Sequence, residues 1–441
     1  MKKNKLLRGA FTLSVGGIVT KLLGAIYRIP LTNILGAEGI GLYQMVFPLY
    51  TILLTFSSTG VPSGISKLIA EGENAEKTLK SSLKFFGIIG LALSFLTLIF
   101  CQNIARVQGN QNAYLAYAFI APSVLIVSLI SCFRGYYQGF SNMAPTAFSQ
   151  VLEQAVKLVF GLLICYLLRG DVILASAGAT LAVTISEVIT LIYFILKRRK
   201  TVTLINISAE KLQIKPIIKT VFPIMIATVI MPLTRTVDSF LILNILGGYI
   251  QNATAVYGLY SGAVESIVSL PVSCCYALAI TSIPIISKLK KEGGNYHKKS
   301  LQAVGYTLAL SVAFSLLLYI FSPLAVKVLY NGLSADSKLL TVNMLRLSCI
   351  SVILLPLMQT LIASVNAMGK YKITIISGVI SSVFKIIMSL QFLKIENINI
   401  FGAIISDIFC YLVACFVNLS YIIYSGFTKN KFSVKTKVQN V

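Results

Sequence analysis

The chain has 441 residues, of which 56% are hydrophobic and 12% charged, with a mean hydropathy of +0.84 and a formal net charge of +24. A soluble domain of this length could not bury so much apolar surface, and the apolar residues fall in blocks of about 20, the length a helix needs to cross a bilayer. Composition therefore excludes a soluble globular enzyme and predicts an all-α polytopic membrane protein.

Twelve spans are expected in chain order: Gly9–Pro30, Met45–Ile65, Leu83–Cys101, Leu115–Tyr136, Ala144–Leu167, Val172–Leu196, Ile217–Leu243, Val256–Ile286, Leu301–Ile320, Leu339–Ser364, Ile373–Leu393 and Phe401–Tyr424. The second and eighth contain Gly and Pro, in "STGVPSG" and "SLPVS", which predicts bends or breaks there. The N-terminus resembles a signal peptide in its basic start and apolar run. Lys21 interrupts that run and the apolar pattern continues to Pro30, so the segment reads as an uncleaved first span.

The basic excess has a pattern. Of the 38 Lys and Arg residues, 27 fall in segments on the side of the N-terminus, and five (Arg106, Arg169, Lys327, Lys338, Lys394) on the other. This positive-inside bias predicts a cell-membrane protein with both termini cytoplasmic. The charge is a topology signal with some attraction to anionic membrane lipids, not a nucleic-acid footprint. All eight cysteines lie in or at the ends of apolar spans without a C-x-x-C pair, and the single histidine, His297, lies in a basic loop. No metal site, Walker A motif or dinucleotide fingerprint is present, so no metal or cofactor is expected.

A repeated phrase organises the chain. Residues 65–74 read "ISKLIAEGEN" and residues 286–295 read "ISKLKKEGGN", seven identities in ten at a separation of 221, half the chain. "TNILG" (32–36) answers "LNILG" (243–247), and the segment 138–159 answers 366–387, which places Lys157 opposite Lys385. The expectation is a duplicated six-helix unit whose halves enter the membrane in the same direction, as parallel repeats around a central cleft. The lobes are then 1–200 and 217–425, joined by a cytoplasmic linker at 201–216 and followed by a basic, unstructured tail at 426–441. The repeated decapeptide marks the same solvated helix exit in each half, a structural role.

Ionisable residues at bilayer depth are costly and face cavities or partners. The basic ones are Lys21, Arg28, Lys157, Arg235, Arg346 and Lys385, and the acidic ones Glu153, Glu187, Asp238, Glu265 and Asp407. Lys21 and Arg28 are seven apart and share a helix face, as anion contacts or, for Arg28, as a side chain that snorkels to the membrane edge. Arg235 and Asp238 either pair at i,i+3 or project separately into the cleft. Glu265 is a candidate for ligand or ion contact. Glu153 and Lys157, four apart, are expected to form an internal ion pair. Lys385 lacks such an acidic neighbour and is expected to bind lipid phosphate or snorkel, while Arg346, Glu187 and Asp407 carry no motif.

"FRGYYQGFSNMAPTAFSQVLEQ", "GAEGIGLYQMVFPLY" and "GVPSGISKLIAEG" resemble the stage V sporulation protein B group of polysaccharide transporters, within the multidrug/oligosaccharidyl-lipid/polysaccharide exporter superfamily. The resemblance runs from about residue 7 to 425. It implies a MATE-like fold, a cavity lined by the first, second, seventh and eighth spans, and flipping of an undecaprenyl-linked sugar for peptidoglycan, polysaccharide or spore-cortex synthesis. Cell-wall synthesis enzymes are the implied partners. Lys21, Arg28, Arg235, Asp238 and Glu265 fall in or beside those four spans, with the three cations as phosphate contacts. The lipid II flippases of the superfamily carry arginines around the second span, whereas "MVFPLYTILLTFSSTG" has none, which argues against lipid II as the cargo. Transport is expected to draw on Na⁺, H⁺ or the membrane potential. The alternatives are a cation-coupled multidrug exporter using Asp238 and Glu265, a membrane scaffold, and a membrane enzyme; for the last, the outer-loop acids Glu38, Asp171, Asp336 and Glu396 are unclustered.

Overall fold

A computed structural model describes residues 2–199, 214–292 and 294–438. The helices are α1 (Lys2–Ser57), α2 (Val61–Ala70), α3 (Ala75–Gln108), α4 (Tyr114–Gly139), α5 (Ala144–Leu167), α6 (Val172–Arg199), α7 (Ile214–Gly247), α8 (Ala253–Gly258), α9 (Glu265–Lys291), α10 (Tyr296–Leu329), α11 (Ala335–Ala367), α12 (Tyr371–Phe392) and α13 (Phe401–Val438). Among the described residues eleven helical segments are long and apolar enough to cross a membrane. One of them, Val15–Ala70, contains the second expected span and most of the first.

Those two spans are joined because α1 does not stop between them but kinks. Gly36 has φ 68° and ψ −174°, a conformation open almost only to glycine, inside an otherwise continuous helix. The same phrase in the second half, "LNILG", ends α7 outright at Gly247. The second expected span breaks where its Gly and Pro predict, since α1 ends at Ser57 and α2 starts after Gly60 (φ 84°). The eighth expected span is irregular upstream of "SLPVS": a π-helical turn, Leu259–Val264, separates α8 from α9. At the C-terminus α13 continues to Val438, so most of the tail expected to be unstructured is helical. The linker expected at 201–216 lies mostly outside the described residues.

The helices are turned inside out relative to a soluble bundle. On α3 the buried positions include Thr78, Ser81, Ser82, Gly90, Ser94 and Thr97, while Ile88, Leu91, Phe95 and Ile99 are exposed. On α10 they are Ser300, Thr307, Ser311, Ser315 and Ser322, against exposed Leu316, Leu317, Ile320 and Leu324. Small polar residues let helices approach closely and bond across the contact when the surroundings are as apolar as leucine. Ser94 Oγ donates to the Ala121 carbonyl (2.7 Å) between α3 and α4, and Ser315 Oγ to the Cys349 carbonyl (2.7 Å) between α10 and α11.

The chain forms two compact units: 1–263 with 329–334, and 264–328 with 335–441. This grouping by packing is distinct from a division by sequence repeat, because α7 and α8 pack within the first unit. Among the described residues the first unit gathers apolar side chains into two clusters. One gathers Val61 and Ile65 of α2, Phe86 of α3, Phe133 of α4, Phe194 of α6 and Val221 of α7; the other gathers Tyr27, Leu31 and Tyr43 of α1 with Cys165 of α5 and Ala179 of α6. The segment 329–334 belongs to this unit through Asn33, whose side-chain amide donates to the Leu329 carbonyl (2.7 Å) and whose Oδ1 accepts from Gly332 N–H (3.0 Å). The second unit is centred on Ile286, Leu361, Val365 and Ile422 from α9, α11 and α13.

The repeated decapeptide is one device built twice. In the first unit Lys67 and Glu71 pair at i,i+4 (3.8 Å), Glu73 N–H returns to the Leu68 carbonyl (3.1 Å), and Asn74 Oδ1 caps α3 by accepting from Lys77 N–H (3.0 Å). In the second unit Lys288 pairs with Glu292 (3.7 Å), Gly294 N–H returns to the Leu289 carbonyl (2.8 Å), and Asn295 Oδ1 accepts from Lys298 N–H (3.0 Å). Each copy closes one helix and starts the next by meeting backbone groups that helix ends leave unpaired. The two Lys–Glu pairs are exposed, with little effect on stability. Replacing either cap, Asn74→Ala or Asn295→Ala, is expected to cost about 1 kcal/mol. A drop in the melting temperature of the purified protein for both variants, with Lys67→Ala unchanged, is the expected result.

Candidate functional site

The ionisable residues of the first unit converge on one group of helices. α1 contributes Tyr27 and Arg28 before its kink, and Tyr43, Phe47 and Tyr50 after it. The rings run edge to face, with centroids 6.5 Å apart for Tyr27–Tyr43, 4.7 Å for Tyr43–Phe47 and 6.3 Å for Phe47–Tyr50. α5 contributes Glu153 and Lys157 one turn apart, and Gly161 a turn further on. A Cβ at Gly161 would come within 2.6 Å of the Tyr27 ring, so glycine there lets α1 and α5 approach. α4 brings Ser123 and Arg134, and α6 brings Glu187.

The expected ion pair between Glu153 and Lys157 is not the one formed. Arg134 Nη2 bonds Glu153 Oε2 at 3.0 Å and Arg134 Nε bonds Ser149 Oγ at 3.0 Å. Ser149 and Glu153 lie one turn apart on α5, so a planar guanidinium from α4 reaches both, which an ammonium on the same helix cannot do. Lys157 instead places its Nζ 5.5 Å from the Tyr27 ring centroid. Arg28, half-buried, lies within electrostatic range of Lys157, Tyr27 and Tyr43. Among the described residues neither Arg28 nor Lys157 has a carboxylate within 4 Å. The same region therefore holds Lys157 against the Tyr27 ring and Arg28 within electrostatic range of it, with the nearby Glu153 engaged by Arg134.

Glu187, 2% exposed, accepts a hydrogen bond from Tyr50 Oη (2.8 Å), and that hydroxyl also meets Ser123 Oγ. Its second oxygen, Oε2, is buried and has no hydrogen-bond partner among the described residues. A second polar node ties α1, α3, α4 and α7 together. Gln108 Nε2 donates to the Met45 carbonyl (2.8 Å) and to Ser239 Oγ (3.3 Å), and Tyr117 Oη donates to the Met45 carbonyl (3.0 Å). This node positions the stretch of α7 that carries Arg235 and Asp238.

The structure distributes the expected site residues unevenly. Lys21 is exposed and Arg28 half-buried on α1; Arg235 is exposed and Asp238 4% exposed on α7. Those four belong to the first unit, whereas Glu265 opens α9 in the second. Lys385, expected to reach lipid phosphate or water, is buried and paired with Asp407 Oδ1 of α13 at 2.6 Å. Arg346 lies 5.5 Å from the Tyr319 ring. Sequence reasoning missed Arg134, which counts there only as one of the 27 basic residues on the side of the N-terminus, and the Tyr50–Glu187 contact. Arg134 sits within α4, and its distance of 15 residues from Ser149 across a helical hairpin is the only signal that could have found it.

Removing one member of a partly buried ion pair strands the other. Arg134→Ala is expected to lower stability by about 3 kcal/mol, and Glu153→Gln by less, because the amide still accepts a hydrogen bond. Thermal unfolding in detergent checks the order: equal effects, or none, would contradict the pairing.

Comparison with known proteins agrees with this architecture. The model of the family described as "Polysaccharide biosynthesis protein" matches residues 6–290. Among curated proteins of Bacillus subtilis (strain 168), stage V sporulation protein B is 29% identical over 361 residues, 76% of this chain and 68% of that protein. Lipid II flippase MurJ is 26% identical over 455 aligned positions, 93% of this chain and 81% of that protein. Among solved structures, an inward-facing multidrug resistance MATE family transporter of the MOP superfamily has a TM-score of 0.78 at 16% identity, covering 93% of this chain and 96% of that one. Lipid II flippase MurJ in an inward closed conformation also has a TM-score of 0.78 at 16% identity, over 95% and 89% of the two chains. The chain therefore belongs to the polysaccharide biosynthesis protein family, an all-helical membrane protein with a MATE/MurJ-like fold.

Proposed function

We propose that this protein is a flippase that moves an undecaprenyl-diphosphate-linked oligosaccharide or cell-wall precursor from the cytoplasmic to the outer leaflet by alternating access. Both termini face the cytoplasm in this reading, following the positive-inside bias of the loops. The observation that carries it is the pair Arg28 and Lys157, cations on two packed helices with no carboxylate within 4 Å among the described residues. A diphosphate has oxygens that can bond both cations directly, and charge-assisted hydrogen bonds to phosphate oxygens are among the strongest polar contacts available. Tyr27 and Tyr43 are buried core residues that hold α1 against α5 and α6 and so fix the helices that carry the two cations. Lys21 and Arg235, both exposed, add phosphate contacts during entry and exit. The prenyl tail stays in lipid, and the two six-helix repeats are the parts that move.

The membrane potential is a sufficient source of drive for an outward-moving anion, since one charge crossing 100 mV is worth about 2.3 kcal/mol. The genetic neighbourhood this chemistry fits is peptidoglycan, polysaccharide or spore-cortex synthesis. A second reading, a cation-coupled multidrug exporter, is favoured by the buried carboxylates Glu187 and Asp238, with Glu265 as a further cation contact.

The test is translocation of a fluorescent undecaprenyl-diphosphate sugar in proteoliposomes, scored by accessibility in each leaflet with and without an imposed potential. Protein-dependent flipping is expected. Arg28→Ala and Lys157→Ala are each expected to slow it about ten- to hundred-fold, the equivalent of a lost charged hydrogen bond of about 1.5–3 kcal/mol, with the folded fraction unchanged. Full activity in both variants would remove these residues from the site. Absent flipping, with efflux of a cationic dye under a Na⁺ or H⁺ gradient, would select the exporter.

A further inference from the structure

The second unit carries a feature that the transport reading does not use. Between α9 and α10 runs an open groove of about 200 Å³, lined by Ser282 and Ile285 on one side and by Lys299, Gln302, Ala303 and Tyr306 on the other. Ile285 and Tyr306 are 52% and 68% exposed, so the groove opens outward from the helix pair. Its volume is below that of a drug-sized pocket, which excludes a whole sugar headgroup. Its chemistry changes along its length: an ammonium, an amide, a phenol and a hydroxyl occur with the apolar faces of Ile285 and Ala303. The adjacent turn adds Lys288, Lys290, Lys291 and Lys298 against one carboxylate, Glu292. Two of these lysines are engaged locally, Lys288 with Glu292 (3.7 Å) and Lys290 with the Met368 carbonyl. Lys299 is the lysine that lines the groove itself.

We propose that this groove binds an acidic phospholipid of the cytoplasmic leaflet, with the lipid phosphate on Lys299 and Gln302 and the start of an acyl chain along Ile285 and Ala303. The inference rests on the cytoplasmic orientation of the α9–α10 turn and not on the identity of the transported substrate. Charge complementarity selects the occupant: a cluster of lysines at a membrane surface attracts acidic headgroups, and the joined polar and apolar walls suit a molecule that has both a phosphate and a chain. A peptide would need backbone partners that a groove walled by two closed helices does not offer. Tyr306 fits the same role, an amphipathic ring at the level of the headgroups.

The experiment uses the full chain in phosphatidylcholine nanodiscs with or without phosphatidylglycerol, followed by native mass spectrometry of retained lipid and by thermal unfolding. Phosphatidylglycerol is expected to stay bound and to raise the melting temperature. Lys299→Glu is expected to lower its retention at least about five-fold, and Lys299→Gln by less. Lys298→Glu, which makes the same charge change on the same turn but outside the groove, is expected to leave retention unchanged. Equal losses for Lys298→Glu and Lys299→Glu would overturn the site in favour of diffuse surface attraction. Equal stabilisation by inorganic phosphate in detergent would assign the groove to a soluble anion instead. Both lysines are exposed, so each variant is expected to fold; retention unchanged in Lys299→Glu overturns the proposal.

Discussion

Everything in this molecule depends on the absence of water in the hydrocarbon layer. A polar group there has no partner except another part of the chain, so each must be met from a neighbouring helix or turn. The serines and threonines of α3, α10 and α12 follow from this: they face inward, where a carbonyl of their own preceding turn or of a neighbouring helix accepts the hydrogen of most of them, and leave the leucines and phenylalanines to the lipid. In a soluble bundle the same residues would face the other way. The constraint also explains why the decapeptide occurs twice. A helix that leaves the membrane exposes unpaired backbone groups at its end, and the Lys–Glu–Gly–Asn phrase satisfies them within ten residues.

The charges at bilayer depth obey the same rule more strictly, and the two halves obey it differently. Lys385 in the second unit is met by Asp407 from the adjacent helix, which leaves no net charge. Its repeat partner Lys157 meets a tyrosine ring, while the nearest carboxylate on its own helix, Glu153, is held by Arg134. A ring face stabilises a cation without neutralising it. The two lysines at matching places in the sequence therefore differ in their surroundings: a carboxylate of α13 neutralises Lys385, and among the described residues none lies within 4 Å of Lys157.

The kink at Gly36 links this chemistry to the backbone. Tyr27 and Arg28 lie before it and Tyr43, Phe47 and Tyr50 after it, and a straight helix would spread these side chains around its circumference and over more than 30 Å of length. One residue with φ 68° re-aims the second segment so that both contribute to one core with α5 and α6. Glycine is required at that position for its dihedral angles, since no neighbouring atom crowds its missing side chain.

The sequence by itself determined what depends on composition and local pattern: a polytopic helical membrane protein and the two matching helix exits. Hydropathy is a property of each segment alone, and the capping phrases act over four residues, so both are legible without a fold. Tertiary structure alone decided the partners. Periodicity places Glu153 and Lys157 on one face of α5, yet it is silent on α4, whose Arg134 takes the carboxylate, and on α13, whose Asp407 takes Lys385. Arg134 comes from 19 residues away and Asp407 from 22, across helical hairpins whose rotation is set by packing. A salt bridge needs two atoms within 4 Å, and only the arrangement of helices around their axes decides which two those are.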